Sequence, residues 1–116
     1  MDPQRARDLL TRERERIESE LRALRSDRGD GGELAAVDQH NADAGSDLFE
    51  NERDQSVIER LDRELEAIAR AEQRLEEGTY GISVESGEPI PDGRLEAIPW
   101  TERTADEQAR FEARLS

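Results

Sequence analysis

The sequence predicts a mainly α-helical protein, in which a long antiparallel coiled-coil hairpin is followed by a small C-terminal knob made of a short β-hairpin and a final helix. Three observations lead to this fold class. Two stretches repeat apolar residues at coiled-coil spacing, a break rich in Gly and Asp separates them, and the composition changes after Gly78. The hairpin is therefore assigned to residues 1–77, with its tip at about 29–47, and the knob to residues 78–116.

The first long helix is predicted over residues 3–25. Asp2 can accept hydrogen bonds from the free N–H groups at its start, and Pro3 suits the first helical position because it has no N–H of its own to satisfy. Its apolar stripe follows steps of 7, 4 and 3, with Ala6 in line, and consists of Leu10, Ile17, Leu21 and Leu24. A stripe this narrow needs a second helix to cover it.

The second long helix is predicted over residues 47–77, a stretch with no Pro or Gly. Its apolar residues follow steps of 3, 4, 3 and 7, and they are Ile58, Leu61, Leu65, Ile68 and Leu75. Gly78 is the expected end of this helix. The simplest arrangement is an antiparallel hairpin in which the two stripes face each other.

The predicted tip contains several aspartates and the only histidine of the chain. Asp38, Asp43 and Asp47 can be turn formers and helix caps, because their short carboxylates satisfy exposed backbone N–H groups. Metal binding by His40 together with these aspartates is the alternative, although their spacing matches no specific ligand template.

The knob is predicted from turn and strand signals. Residues 80–84 form a short strand, 85–88 a turn and 89–91 an extended return, after which Asp92 caps a brief helical turn. Thr104 and Glu107 have the spacing of a capping box and begin the final helix. The predicted core of the knob consists of Tyr80, Ile82, Ile90, Leu95, Ile98, Trp100, Phe111 and Leu115.

The composition excludes several classes of protein. The net charge is -13 and all 17 basic residues are Arg, so direct DNA or RNA binding is not expected, and a basic protein surface or channel is a better match. Whether the acidity does more than keep the chain soluble stays open. Cysteine is absent, which excludes disulfides and thiolate metal sites. With no long apolar run, we expect no membrane association and a soluble cytoplasmic protein.

The knob resembles a known family. The runs 78–82, 87–91 and 94–99, GTYGI, GEPIP and RLEAIP, are similar to the C-terminal zinc-finger segment of the DksA/TraR family of bacterial transcription regulators. Residues 38–54 also resemble the hairpin tip of family members. The resemblance implies the fold described above, with the knob corresponding to a zinc finger.

The sequence departs from the family at the zinc ligands. The four positions at which the family usually carries cysteines hold Ser83, Ser86, Thr104 and Glu107, still spaced as two CxxC pairs. Hydroxyl groups stay protonated at neutral pH and are poor zinc ligands. We therefore expect no zinc and no other cofactor, with a helix cap and a small core replacing the metal.

The resemblance also implies a mechanism. Family members bind RNA polymerase without contacting DNA, and their coiled-coil tip enters the secondary channel of the enzyme. The family's tip motif, DxxDxA, corresponds to residues 40–45. Asp43 matches the second Asp, while His40 replaces the first, and Asp38 is a candidate substitute. The expected effector residues at the tip are thus Asp38, His40, Asp43 and Asp47.

The sequence also bears on two other functions. The first is a structural or adaptor protein, as a monomer or a homodimer, that uses the hairpin as a protein-binding rod. The helix over residues 47–77 would span roughly 46 Å at ~1.5 Å per residue, which is long enough for this role. An enzyme is not expected, because Ser83 and Ser86 lie in no nucleophile motif and a single histidine cannot complete a triad.

Overall fold

The computed structural model describes the backbone of residues 1–26 and 44–115, and the side chains of residues 1–26 and 52–115. Four helices lie in these ranges: α1 (Pro3–Arg25), α2 (Ala44–Glu77), α3 (Asp92–Ala97) and α4 (Ala105–Leu115). The prediction of a mainly helical protein is confirmed. No helix in the described ranges is both long and apolar enough to cross a membrane.

Local sequence signals set the ends of the two long helices. At the start of α1, the carboxylate of Asp2 accepts a hydrogen bond from the N–H of Arg5 at 2.9 Å. At the end of α2, Gly78 adopts a φ of 81°, and the N–H groups of Gly78 and Thr79 donate back to the carbonyls of Leu75 and Arg74. This is the Schellman arrangement, which requires a left-handed residue just after the helix.

The chain forms two compact units. One comprises Glu15–Leu65, and there Ile17, Leu21, Ile58 and Leu61 are buried between α1 and α2. An ion pair between Arg25 and Asp62, 3.2 Å apart, joins the two helices in this unit. Arg14, which comes earlier in α1, pairs with Glu72, which comes later in α2, and this order is that of antiparallel helices.

The other unit comprises Met1–Arg14 and Glu66–Ser116. It contains the knob together with the start of α1 and the end of α2. Its buried apolar side chains come from all of these parts and are Ala6, Leu9, Leu10, Ala67, Ile68, Ala71, Ile90 and Leu95. The predicted boundary between residues 77 and 78 stays a prediction.

The knob contains less β-structure than the sequence predicts. In place of a β-hairpin, the described residues show a single antiparallel bridge between Ile82 and Pro89. The N–H of Ser83 donates to the carbonyl of Glu88 and the N–H of Ile90 to that of Gly81, both at 2.8 Å. The pairing ends on one side at the turn in which the N–H of Gly87 donates to the carbonyl of Ser83, and on the other side shortly before α3, which begins at Asp92.

The predicted knob core is only partly correct. Ile90 and Leu95 are buried, but Ile82 is 40% exposed and Leu115 is 73% exposed. Asp92 is the first residue of α3 and not its cap, because Pro91 occupies the cap position and no side chain caps the helix. Strand alternation and helical spacing identify a face of an element, but they do not show whether another element covers that face.

Candidate functional site

The predicted tip residues lie largely beyond the described structure. Asp38, His40 and Asp43 fall outside the described residues, and Asp47 lies in the first turn of α2, where the backbone alone is described. Their role as effectors therefore stays a prediction.

The described chain brings together the four positions that correspond to the family's zinc ligands. We call Ser83, Ser86, Thr104 and Glu107 the polar cluster. Ser83 follows the bridge residue Ile82 and Ser86 lies in the next turn, while Thr104 precedes α4 and Glu107 lies in its first turn. Residues more than twenty positions apart in sequence thus meet at one point in the knob.

Hydrogen bonds to Glu107 hold the polar cluster together. Its Oε1 accepts from the hydroxyl of Ser83 at 2.6 Å and from the backbone N–H of Thr104 at 2.9 Å. The N–H of Glu107 donates in turn to Oγ1 of Thr104 at 3.2 Å, which confirms the predicted capping box. Ser83 and Glu107 are both buried.

Ser83 also organises the turn that follows it. Its Oγ accepts from the N–H groups of Glu85 at 3.0 Å and Ser86 at 3.2 Å. A hydroxyl offers one donor and two acceptor lone pairs, so Ser83 uses its full capacity: it donates to Glu107 and accepts twice. The turn and the start of α4 are thereby joined through one oxygen atom.

This environment favours the charged form of Glu107. Hydrogen bonds from the hydroxyls of Ser83 and Ser86 and from the N–H of Thr104 lower the pKa of Glu107 to about 2, against the opposing effect of burial. The carboxylate is therefore ionised at neutral pH. It acts as a fixed hydrogen-bond acceptor and is not poised to exchange a proton at pH 7.

A second polar group joins the knob to the end of α2. The carboxylate of Glu102 accepts from Nε of Arg70 at 2.9 Å and from Nη1 of Arg74 at 3.0 Å, and its backbone carbonyl accepts from the N–H of Val84 at 2.9 Å. Burial raises the pKa of Glu102, but the hydrogen bonds and charges of the two arginines outweigh it, so the net pKa lies below the ordinary value. Sequence reasoning missed this group, although two arginines four residues apart on a helix were a signal.

Tyr80 makes a further hydrogen bond within the knob. Its hydroxyl donates to the carbonyl of Pro99 at 2.8 Å, and burial raises the pKa of Tyr80 to about 12. The phenol therefore stays protonated at neutral pH and keeps donating to this carbonyl.

Comparison with known proteins identifies the family. Residues 78–113 match the model of the prokaryotic DksA/TraR C4-type zinc finger. The chain is 34% identical over 95 residues to the RNA polymerase-binding transcription factor DksA of Caulobacter vibrioides, an alignment that covers 78% of this chain and 66% of that protein. The structure is similar to that of transcription factor DksA2 from Pseudomonas aeruginosa, with a TM-score of 0.76, 26% identity, and coverage of 97% of this chain and 84% of the other.

This chain belongs to the DksA/TraR family. It is also 45% identical over 83 residues to general stress protein 16O of Bacillus subtilis, which covers 70% of this chain and 50% of that protein. The chain thus spans between half and two thirds of the length of these two curated relatives. The membership predicted from the motifs of the knob is confirmed.

The same comparison corrects one expectation. The prediction that this protein has no zinc is contradicted by the match of residues 78–113 to a C4-type zinc finger, a domain for which zinc is usual. A C4 site holds zinc with four thiolates. The polar cluster offers three hydroxyls and one carboxylate, so its donor set does not reproduce the thiolates of the family.

Proposed function

We propose that this protein binds RNA polymerase and regulates transcription by inserting the tip of its hairpin into the secondary channel of the enzyme. The observation that carries the proposal is the similarity to DksA2 over 97% of the chain, together with family membership. The relative from Caulobacter vibrioides is named as RNA polymerase-binding, and the same partner is proposed here.

The length of the helices suits insertion into a channel. Helix α2 has 34 residues, which correspond to about 51 Å at ~1.5 Å per residue. Within each of the two units, an ion pair and buried apolar side chains hold the described part of α1 against that of α2. Asp38 and Asp43 are proposed as the effector residues, with His40 and Asp47 beside them in sequence.

The charge of the chain favours a protein partner over nucleic acid. A net charge of -13 repels phosphates, because nucleic-acid binding depends on basic side chains that release counterions. We propose that the contact is with the polymerase alone, and we expect the isolated protein not to change the electrophoretic mobility of promoter DNA.

The first test is binding to the RNA polymerase of the same host, measured by pull-down with and without a second protein that occupies the secondary channel. We expect binding at micromolar concentration and displacement by the competitor. Absence of binding by protein shown to be folded by circular dichroism would overturn the proposal.

The tip residues are tested by the double substitution Asp38→Asn and Asp43→Asn. We expect this variant to bind the polymerase about as well as the parent but to lose its effect on transcription in vitro, because the carboxylates that act in the channel are gone. The matched control is Glu59→Gln with Glu66→Gln, which removes two charges from exposed positions of α2. Unchanged regulation by the tip variant would contradict the assigned residues without affecting the proposed binding.

A further inference from the structure

A charged pair interrupts the apolar seam of the hairpin. Each predicted stripe contains one step of 7 among steps of 3 and 4, from Leu10 to Ile17 and from Ile68 to Leu75. The positions skipped, four residues after Leu10 and four residues after Ile68, are occupied by Arg14 and Glu72. Both residues therefore occupy seam positions of the heptad pattern, one on each helix.

The structure pairs these two residues with each other. Nη2 of Arg14 lies 2.6 Å from Oε1 of Glu72, and Nε of Arg14 lies 3.3 Å from Oε2. The two parallel contacts make a bidentate guanidinium–carboxylate pair, whose geometry is more specific than that of a single contact. The neighbouring seam residues Leu10 and Ile68 are fully buried.

Stability alone does not explain this pair. The side chains of Arg14 and Glu72 remain 30% and 38% exposed, and ion pairs exposed to this degree usually stabilise a protein little. Leucines at facing seam positions would bury more apolar surface. A polar residue at a seam position is, however, a known means of specifying register and partner at a cost in stability.

We propose that Arg14 and Glu72 form a register lock, which selects the pairing of α1 with α2 in the observed alignment over shifted alignments and over pairing between identical helices of two chains. Sliding α2 by seven residues in one direction would set Arg14 against Leu65, and sliding it in the other would set Glu72 against Leu21. In each shifted alignment one of the two charges faces a leucine and the bidentate pair is lost, which disfavours that alignment relative to the observed one.

Pairing between identical helices meets the same obstacle. Two copies of α1 would place Arg14 against an apolar residue or against a second Arg14, and two copies of α2 would do the same with Glu72. The seam charges therefore disfavour pairing between identical helices as well as shifted pairing of α1 with α2.

The test replaces both charges with leucine, Arg14→Leu and Glu72→Leu, and uses the exchange Arg14→Glu with Glu72→Arg as the matched control. Because the chain has no cysteine, Ser19→Cys and Glu59→Cys provide unique sites for spin labels on exposed positions of the two helices within the Glu15–Leu65 unit. Double electron–electron resonance reports the distance between the labels, and light scattering reports the mass.

We expect a single distance and one mass for the parent and for the charge exchange. The leucine variant should show a second distance population displaced by about 10 Å, the rise of seven helical residues, or an increase in mass.

The proposal is overturned by a leucine variant with the distance and mass of the parent, by a charge exchange that behaves like the leucine variant, or by two distances in the parent. The variant Arg14→Ala with Glu72→Ala, which also removes the lock, gives the same comparison should the leucine variant misfold. None of these measurements depends on polymerase binding, so the lock and the proposed function can fail separately.

Discussion

At the scale of single residues, Glu107 connects two parts of the knob that are distant in sequence. It caps the start of α4 through Thr104 and at the same time accepts from Ser83 in the turn after the bridge. In a C4 finger, a metal joins the corresponding positions by direct coordination. Here the described contacts at these positions are hydrogen bonds to one ionised carboxylate, and such bonds are stronger than those between neutral groups.

The ionisation of Glu107 predicts how stability changes with pH. Because the folded protein lowers the pKa of Glu107 from its ordinary value of 4.5 to about 2, the unfolded chain binds a proton at this site before the folded protein does. The resulting stabilisation is fully present above pH 4.5 and is lost as the pH falls from 4.5 toward 2. We expect the difference in melting temperature between the parent and Glu107→Gln to shrink over this range, as measured by circular dichroism.

The control for this prediction is Glu66→Gln, the same substitution at an exposed position of α2. The difference between its melting temperature and that of the parent should change less between pH 7 and pH 3 than the difference for Glu107→Gln. A constant difference for Glu107→Gln across the same interval would mean that Glu107 is not held in its charged form by the cluster.

At the scale of elements, the end of α2 depends on one backbone conformation. Gly78 has a φ of 81°, a value that side chains with a Cβ adopt at a cost, and a Cβ built there would meet no other atom within 4 Å. The expected effect of a side chain is therefore backbone strain without a steric clash. Two hydrogen bonds of the Schellman arrangement depend on this conformation.

Substitution of Gly78 by alanine should therefore destabilise the protein by about 1–2 kcal/mol, the cost of placing a residue with a Cβ in the left-handed region. Gly93 is the matched control, because it lies inside α3 without a positive φ and a Cβ there also meets nothing within 4 Å. We expect Gly93→Ala to be neutral or to stabilise by up to about 1 kcal/mol, since alanine favours helix. Urea denaturation measures both, and equal effects of the two substitutions would contradict this account of the helix end.

At the scale of the whole molecule, the net negative charge affects the stability of the folded state. A net charge of -13 on 116 residues favours unfolding through mutual repulsion, whereas the ion pairs of the described residues are mostly exposed and individually weak. Salt screens both, but the repulsion is spread over many charges and acts over longer distances. Screening should therefore stabilise the folded state overall.

We expect the melting temperature to rise by several degrees when sodium chloride is increased from about 0.02 M to about 0.3 M, over which the Debye length falls below ~10 Å. Removal of two exposed charges by Glu52→Gln and Glu66→Gln should raise the melting temperature at low salt by a smaller amount, and this gain should disappear at high salt. A melting temperature that falls with salt would show that the ion pairs outweigh the repulsion.

The sequence by itself determined those features that depend on neighbours along the chain. The capping box of Thr104 and Glu107 and the end of α2 at Gly78 follow from residues within a few positions of each other, and the structure confirms them. The two apolar stripes follow from helical periodicity, and most of their members are buried. The family was also readable, because its motifs are short and contiguous.

Only the tertiary structure decided which distant side chains meet. Ile82 and Leu115 fit the pattern of buried residues but remain exposed, because burial depends on whether another element covers the face they occupy. Ser83 and Glu107, Glu102 and Arg74, and Arg14 and Glu72 pair across separations of 24, 28 and 58 residues. Periodicity gives the face on which a side chain lies but not the atom opposite to it. A hydrogen bond depends on that atom, since it is lost within about 1 Å of displacement.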